Sequence, residues 1–524
     1  MVKVRGIPHL AKNERDVGHP SFVERTKVET IESVGQPKTV ERRLHNIFLL
    51  LTLVLCLLRF ACLRADFPNH SPWMKDQAKF TDEGWWANAA VRHFLIGHWQ
   101  VAGDYNPAAA VPVWPVLLTL VFHFTGVSIV AARAVNVFFS IATVGLVYLL
   151  VRRYASETTA AVAALLLAAS PFAFAFSRLA TLDTMVNFEF CLLLWIASYA
   201  NPRRIWPSIL LGILSPIMLL TKTTAVVLVP AVLSLLWMAT KKRFLLATLL
   251  VGAVAGAGMG IYLSIVLRSR YAEDYHYFFD INALADVEWE RTAFLLRQLL
   301  RHCMWIDPTL YPAALAVLVL SLVWLRRLWR NPLFTASWIA FAGDAVYILR
   351  RQDDYAPRYF LAMLVPLILV LVLALQELKI RNRSLASLLA ATLALAVVFD
   401  TARVLGFLNH RQYQFYNAAE SIKAIVNADP NQHRLLLGSS GDQLSLMTGV
   451  PSINDGYSSE DLAQKLSRYQ PGWYVGWNEL DQDIVGSLSA FRLDKVASYR
   501  VFDHDERNLL TLYRMVPAKP SGGS

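Results

Sequence analysis

Eleven apolar runs, most of them long enough to cross the roughly 30 Å hydrocarbon core of a bilayer, constrain this chain more than any other feature. They lie near residues 46–63, 128–151, 157–176, 184–200, 205–221, 223–240, 244–267, 309–325, 332–349, 359–376 and 384–400. A chain with no closed barrel can satisfy its backbone N–H and C=O groups inside lipid only as helices, so each run is expected to be helical. Composition agrees, with 55% of residues hydrophobic and 17% charged, against about 25% charged in soluble domains. A soluble multidomain enzyme, a disordered scaffold and a secreted disulfide framework are thereby excluded. The formal net charge of +11 does not imply a nucleic-acid partner, because in a membrane protein the placement of Lys and Arg reports orientation. Cys56, Cys62, Cys191 and Cys303 lie in or beside apolar runs without metal-motif spacing and read as small packing residues.

A further run, 111–126, is short and interrupted by Pro112 and Pro115. If it does not cross, Arg152–Arg153, Arg203–Arg204, Lys241–Lys242–Arg243, Arg326–Arg327 with Arg330, and Lys379 with Arg381 and Arg383 all lie on the side of the N-terminus. Cytoplasmic loops carry such clusters. The expectation is therefore about eleven transmembrane helices, with the N-terminus in the cytoplasm and the C-terminus outside. The first 46 residues form a polar cytoplasmic tail with nine Lys/Arg, and no cleavable signal pattern follows. Residues 47–400 form the membrane domain, with outer loops 64–127 and 268–308 and shorter outer segments 177–183 and 350–358. In the first long loop Trp85, Trp86, Ala89, Ala90 and Phe94 recur at helical spacing. In the second Trp289, Ala293, Leu296 and Leu300 do so, with Glu288, Arg291 and Arg297 off the stripe. Such stripes suit helices in the headgroup layer or packed on their own spans.

Residues 401–524 change character and read as a small α/β domain outside the membrane. Strands are expected at His433–Gly438, Trp473–Trp477, Val496–Phe502 and Leu509–Met515. Helices are expected from Asp442 and over Ser459–Tyr469, the latter opened by Ser458-x-x-Asp461. There is no Gly-rich phosphate loop, and the final Ser-Gly-Gly-Ser reads as a flexible end.

Charged groups crowd the outer face. Asp82–Glu83 precedes Trp85–Trp86, Arg178 and Asp183 share a short turn, Arg133 lies inside the second span, Lys222 sits at a span junction, and Arg350, Arg351 and Arg358 occupy the last outer link. Each has an ordinary reading. Adjacent acids complement a helix N-terminus, Arg178 pairs with Asp183, Arg133 reaches the headgroups, and Arg358 pairs with Asp353 or Asp354. Their convergence on one face favours a site, since cations suit a phosphate and carboxylates suit a proton or a sugar hydroxyl.

The order of "FTDEGWWANAAVRHFLIG", "PVWPVLLTLVFHFTG", "AARAVNVFFSIATVGLVYLLVRRY", "SPFAFAFSRLATLDTMVNF", "LTKTTAVVLVPAV" and "APRYFLAMLVP" resembles the GT-C glycosyltransferases over residues 47–376. The similarity is greatest to the protein O-mannosyltransferase and aminoarabinose transferase branch. No WWDxG-type motif of the oligosaccharyltransferase branch occurs in the tail. The resemblance implies a polytopic α-helical enzyme whose catalytic acids fall on Asp82, its neighbour Glu83, and Asp183. It implies donor-phosphate cations at Arg133 and Arg358; Arg178 and Lys222 join them by their position on the same face, and Trp85, Trp86 and Tyr359 are expected to shape the cleft. One departure stands out: the Lys that aminoarabinose transferases carry before the proline-rich segment is missing from "DYNPAAAVPVWP".

The function expected is inverting transfer of one sugar from a polyprenyl-phosphate donor to a glycan, lipid or protein acceptor on the outer face. Its setting would be a bacterial inner (cytoplasmic) membrane. A transporter or flippase of a lipid-linked saccharide, or a polysaccharide polymerase or ligase, is the alternative. The charges lie at one surface, and no internal repeat of the transporter kind is evident. No cofactor is expected; no His/Asp/Glu cluster has metal-ligand spacing, which leaves dependence on a divalent metal open.

Overall fold

The computed structural model describes residues 37–282, 289–351, 356–456, 460–480 and 482–518. Its helices are α1 (Pro37–Leu58), α2 (Asp82–Ile96), α3 (Val113–Thr125), α4 (Ile129–Arg152), α5 (Glu157–Ala169), α6 (Pro171–Ser177), α7 (Leu182–Ala197) and α8 (Trp206–Thr221). They continue as α9 (Val229–Thr240), α10 (Phe244–Val266), α11 (Ala272–Ile281), α12 (Trp289–His302), α13 (Leu310–Val323), α14 (Pro332–Arg351), α15 (Leu361–Arg381) and α16 (Arg383–Asn409). The C-terminal part holds α17 (Gln414–Ala428), α18 (Gly441–Thr448), α19 (Leu462–Tyr469) and α20 (Gln482–Ser487). Its sheet comprises β1 (Leu436–Leu437), β2 (Ser452–Ile453), β3 (Trp473–Trp477), β4 (Phe491–Arg500) and β5 (Leu509–Pro517), in spatial order β2-β1-β3-β5-β4. The β1 pairings are parallel and those of β5 antiparallel.

Among the described residues, five helical stretches are long and apolar enough to cross a membrane, or six if the bent α5–α6 pair is one span; α3, α8 and α13 are shorter apolar helices. Apolar on every side, α15 is buried for almost its whole length against α5, α7, α13, α14 and α16. By contrast α10 leaves Leu245, Leu246, Leu249, Ile261 and Ile265 exposed, as a lipid-facing helix does.

The run 157–176 is not one straight span. It bends by 59° at Ser170–Pro171. Pro171 lacks an N–H, so α5 cannot continue through it, and the last carbonyls of α5 are left without intrahelical donors. Arg59, fully buried just past α1, supplies them: Nη2 donates to the Leu167 and Ala168 carbonyls at 2.8 and 3.1 Å. Its Nη1 donates to Ser140 Oγ, Ser177 Oγ and the Ala173 carbonyl. Arg178, after α6, reciprocates on the chain leaving α1, donating to the carbonyls of Arg59, Ala61 and Cys62.

Elsewhere the elements shift within their runs. The first helix covers Pro37–Leu58, ahead of the expected 46–63, and α16 continues past 400 to Asn409. The strand expected at His433–Gly438 shortens to Leu436–Leu437, and that at Val496–Phe502 becomes Phe491–Arg500. Asp461 caps α19 by accepting from the Gln464 N–H at 2.7 Å, while Ser458 lies outside the described residues. In α12, Leu295 and Leu299 pack inward and Leu296 and Leu300 stay exposed; Glu288 and the Trp289 and Arg291 side chains lie outside the described residues.

The C-terminal domain docks on the loop 64–127 through α18 and α2. The Gly84 N–H donates to Gln443 Oε1 at 2.8 Å, and a Cβ there would lie 2.1 Å from the Gln443 nitrogen, so only glycine fits. Asn88 Nδ2 donates to Asp442 Oδ2 at 2.8 Å. Asp66, after α1, accepts from the Phe415 and Tyr416 N–H groups at the start of α17.

Replacing Arg59 with Met removes every donor to the α5–α6 break. The expected loss is about 2–4 kcal/mol of stability, read as a lower melting temperature in detergent, with Arg59→Lys intermediate. A melting temperature unchanged in Arg59→Met would show that the break does not depend on this guanidinium.

Candidate functional site

The site forms where α2, α7, the end of α8 and the start of α15 meet. Asp76 caps a 3-10 turn (Gln77–Lys79) by accepting from the Ala78 N–H at 2.9 Å, and Asp82 opens α2 two residues after that turn ends in Phe80. Arg358 lies in a second 3-10 turn, Pro357–Phe360, that leads into α15. Its Nη1 bonds Asp76 Oδ1 at 2.6 Å, its backbone N–H donates to Asp76 Oδ2 at 2.7 Å, and its Nη2 meets Asp82 Oδ2 at 2.9 Å. One guanidinium thus joins two carboxylates from the first loop.

Asp82 keeps 16% of its side chain exposed and accepts a hydrogen bond from Thr81 Oγ1. Burial raises its carboxyl above the usual range; the Arg358 charge opposes this, the nearby Asp76 and Asp183 charges add to it, and the Thr81 bond lowers it. That is the balance suited to a base rather than to a permanent ion.

Asp183 sits in the first turn of α7 and pairs with Lys222 Nζ at 2.5 Å, not with Arg178 as the shared turn suggests. Lys222 caps the end of α8 in an extended conformation that frees its side chain to reach back. The Tyr359 ring lies under the cations of Arg358, Lys222 and Arg351, 4.9, 5.3 and 5.5 Å from its centroid. A cavity of about 20 Å³, room for one water, is lined by Asp183, Lys222, Tyr347, Tyr359 and Asp344 of α14. Asp344 is buried, and its Oδ2 has no hydrogen-bond partner.

Three of the ten expected residues lie elsewhere in the same region, as supports, and two line its apolar side. Glu83 is fully buried and accepts four hydrogen bonds: from Arg133 Nε and Nη2 at 2.7 Å each, the Ala180 N–H at 2.8 Å, and Gln443 Nε2 at 3.1 Å. Arg133 also donates to the Leu63 and Ala65 carbonyls. Its helix neighbour Asn136 donates to the Leu179 and Thr181 carbonyls, so α4 clamps the turn that presents Asp183. Arg178 is spent on backbone carbonyls. Trp85 packs on Tyr105, ring centroids 5.3 Å apart, and Trp86 packs into the same half-buried cluster. Asp82, Asp183, Lys222, Arg358 and Tyr359 are therefore brought together, while Glu83, Arg133 and Arg178 hold the frame. The expected partners of Arg358, Asp353 and Asp354, lie outside the described residues.

Sequence reasoning missed Asp76 and Asp344. Asp344 carried a usable signal, a carboxylate inside an apolar run; Asp76, in a polar loop, carried none. Among the described residues no three His, Cys, Asp or Glu side chains converge as a metal site.

Residues 107–267 match the family model for dolichyl-phosphate-mannose-protein mannosyltransferases. The fold is similar to that of ArnT from Cupriavidus metallidurans in the apo state, with TM-score 0.57, 14% identity, and 88% of this chain and 97% of that one covered. For the same protein bound to undecaprenyl phosphate the values are 0.58, 13%, 89% and 97%. The Archaeoglobus fulgidus oligosaccharyltransferase, in complex with Zn and sulfate, gives 0.53 at 14% identity, covering 81% of this chain and 67% of that one. No curated protein matches the chain.

Adjacent acids with such different surroundings should fail differently. Glu83→Gln removes the charge that Arg133 faces in a buried pair, an expected cost of about 3 kcal/mol or more, seen as a lower melting temperature. Asp82→Asn should leave melting nearly unchanged. Equal losses in the two variants would contradict this division.

Proposed function

We propose that the chain is a glycosyltransferase of the GT-C kind, mannosyltransferase- and ArnT-like, and that it transfers one sugar from a polyprenyl-phosphate donor to an acceptor hydroxyl on the outer face of the membrane. The observation carrying this reading is the Asp82–Arg358–Asp76 bridge beside the Asp183–Lys222 pair. It sets a partly exposed, raised carboxylate against two cations at a span terminus. A donor phosphate needs the cations and an acceptor hydroxyl needs the base.

In the proposed reaction the acceptor oxygen attacks the anomeric carbon as its proton passes to Asp82. The bond from that carbon to the phosphate oxygen breaks, and the electron pair leaves on the polyprenyl phosphate. Arg358 and Lys222 stabilise the departing charge, so no protonated general acid is required. Attack opposite the leaving group inverts the anomeric centre. Asp183 holds Lys222 in place, and Tyr359 gives the cations a common apolar floor. Glu83, Arg133 and Arg178 position these groups without touching the donor.

The orientation proposed has eleven spans, the N-terminus in the cytoplasm, and the 401–524 domain outside an inner membrane. In support, the basic clusters at Arg152–Arg153, Lys241–Arg243, Arg326–Arg330 and Lys379–Arg383 lie at the ends of α4, α9, α13 and α15. The site residues lie at the starts of α2, α7 and α15 and at the end of α8. The short helix α3 packs on α2 and α4, as an outer segment would.

Reconstituted protein supplied with a panel of radiolabelled polyprenyl-phosphate sugars should move one label out of the lipid fraction, with the anomeric configuration inverted in the product. Asp82→Asn should slow this by about 10²–10⁴-fold while the donor still binds. If Asp82→Asn transfers normally and Asp183→Asn does not, the roles are reversed.

The base must be ionised to act, so kcat/KM should fall as pH drops through the Asp82 pKa. Since that pKa is raised, the acid limb should lie above the ordinary Asp value of about 3.9. An acid limb at or below that value would exclude Asp82 as the base. Arg358→Lys, which cannot fork onto two phosphate oxygens, should weaken donor affinity with little change in melting temperature. Unchanged donor affinity would remove Arg358 from the donor site.

A further inference from the structure

A cavity of about 970 Å³ lies at the far end of α2, away from Asp82. Arg92, which lines it, is ten residues along the helix from Asp82, or about 15 Å. The walls come from α2 and the turn after it, the start of α11, and the C-terminal domain around Arg434, Ile453 and Tyr469.

Three observations give this space a chemistry. Arg92 keeps only 5% of its side chain exposed, and its Nη2 is engaged by Asp104, yet its Nε and Nη1 have no hydrogen-bond partner. Buried guanidinium nitrogens are costly to leave empty, and an oxyanion satisfies them. Asp104 is itself shared with Lys465, at 2.8 Å, and Asp442 lies 3.9 Å from the same Nη2, so two carboxylates face two cations and Arg92 offers donors, not net attraction. The attraction comes from the rim, where Arg270 and Arg434 are exposed and have no ion pair among the described residues. Arg468 is different, since it is held by Glu460 at 2.6 Å.

Position adds the source. Arg270 stands four residues beyond Val266, the end of the lipid-facing α10, and Gln100 ties this segment to the loop after α2 by donating to Asp274 Oδ2 at 3.0 Å. One wall is apolar, with Leu95 and Ile96, and the adjoining Phe94 is 49% exposed. A phosphate alone would fill little of such a volume. A phosphate carried on a larger polar group, with an apolar portion along α2, uses both the arginines and the wall.

We propose that the cavity bounded by Arg92, Arg270 and Arg434 is a second, non-catalytic site that binds a phosphate-bearing ligand, either a lipid headgroup at the membrane surface or a soluble phosphorylated glycan. It stands apart from the transfer site, so its failure would leave the proposed reaction untouched.

The test uses the full chain in phosphatidylcholine nanodiscs and two probes, inorganic pyrophosphate and dihexanoyl phosphatidate, titrated calorimetrically at low salt. At least one probe should bind saturably to the unaltered protein. Binding should weaken at least about tenfold in the Arg270→Glu, Arg434→Glu double variant. It should persist in Arg358→Ala, which reports on the transfer site alone. Because both altered residues are exposed, the double variant should melt as the parent does, and the single Arg270→Ala and Arg434→Ala changes should give intermediate losses. Binding of both probes identifies the phosphate as the recognised group; binding of phosphatidate alone identifies a lipid headgroup. The proposal is overturned if neither probe binds the unaltered protein, if the double variant binds as the parent does, or if Arg358→Ala rather than the double variant abolishes binding.

Discussion

Backbone carbonyls that lose their helical partners inside a membrane have no water to turn to, and the structure depends on how this chain supplies donors to them. Two interruptions face each other, the exit of α1 and the α5–α6 break. Arg59 donates across to the break, while Arg178 donates back to the exit, joined there by Arg133 on the Leu63 and Ala65 carbonyls. The exchange is reciprocal, so neither interruption can shift without exposing the acceptors of the other. It fixes residues 59–66, and thereby the origin of the loop that carries Asp76, Asp82 and Glu83. Arginine suits the task because its planar fork can reach carbonyls on two chain segments at once.

From that anchored loop the consecutive acids diverge. Neighbours on a helix point about 100° apart, so Asp82 turns toward Arg358 and retains some solvent while Glu83 turns into the fold and meets Arg133, Ala180 and Gln443. The Glu83 pair is what brings the 177–183 turn against α2, and this in turn sets Asp183 and Lys222 near Asp82. A fully buried carboxylate thus decides where Asp82 and Asp183 stand. The same pair reaches the C-terminal domain through Gln443, so the site and the domain share one network.

That domain is seated by more than this bond. Phe80, Phe415, Trp477 and Phe502 form an aromatic cluster between loop and domain, and the Lys79 ammonium lies 4.7 Å from the Phe502 ring centroid. Burial pushes Lys79 down to about 8, with the Asp76 and Asp66 charges opposing. Such a group is paired by aromatic faces instead of by a carboxylate, which suits a contact flanking a site whose carboxylates are already engaged.

The sequence by itself determined the helical membrane class, the position of nearly every apolar helix, the strand Trp473–Trp477, and the face on which charges gather. These follow from hydropathy and from the placement of Lys and Arg, which are properties of local segments. It also placed Asp82, Asp183, Lys222 and Arg358 on one face, because Asp183, Lys222 and Arg358 stand at the ends of apolar runs and Asp82 opens the amphipathic helix of the loop on that face. Tertiary structure alone decided the partners. Asp183 takes Lys222 across two helices, although Arg178 is five residues away. Arg358 takes Asp76 and Asp82 from a loop some 280 positions earlier. Glu83 is buried and Asp82 is not, a distinction that "TDEGWW" does not encode. Ion-pair choice depends on distance and desolvation in the assembled fold, and those quantities do not exist until the helices have packed.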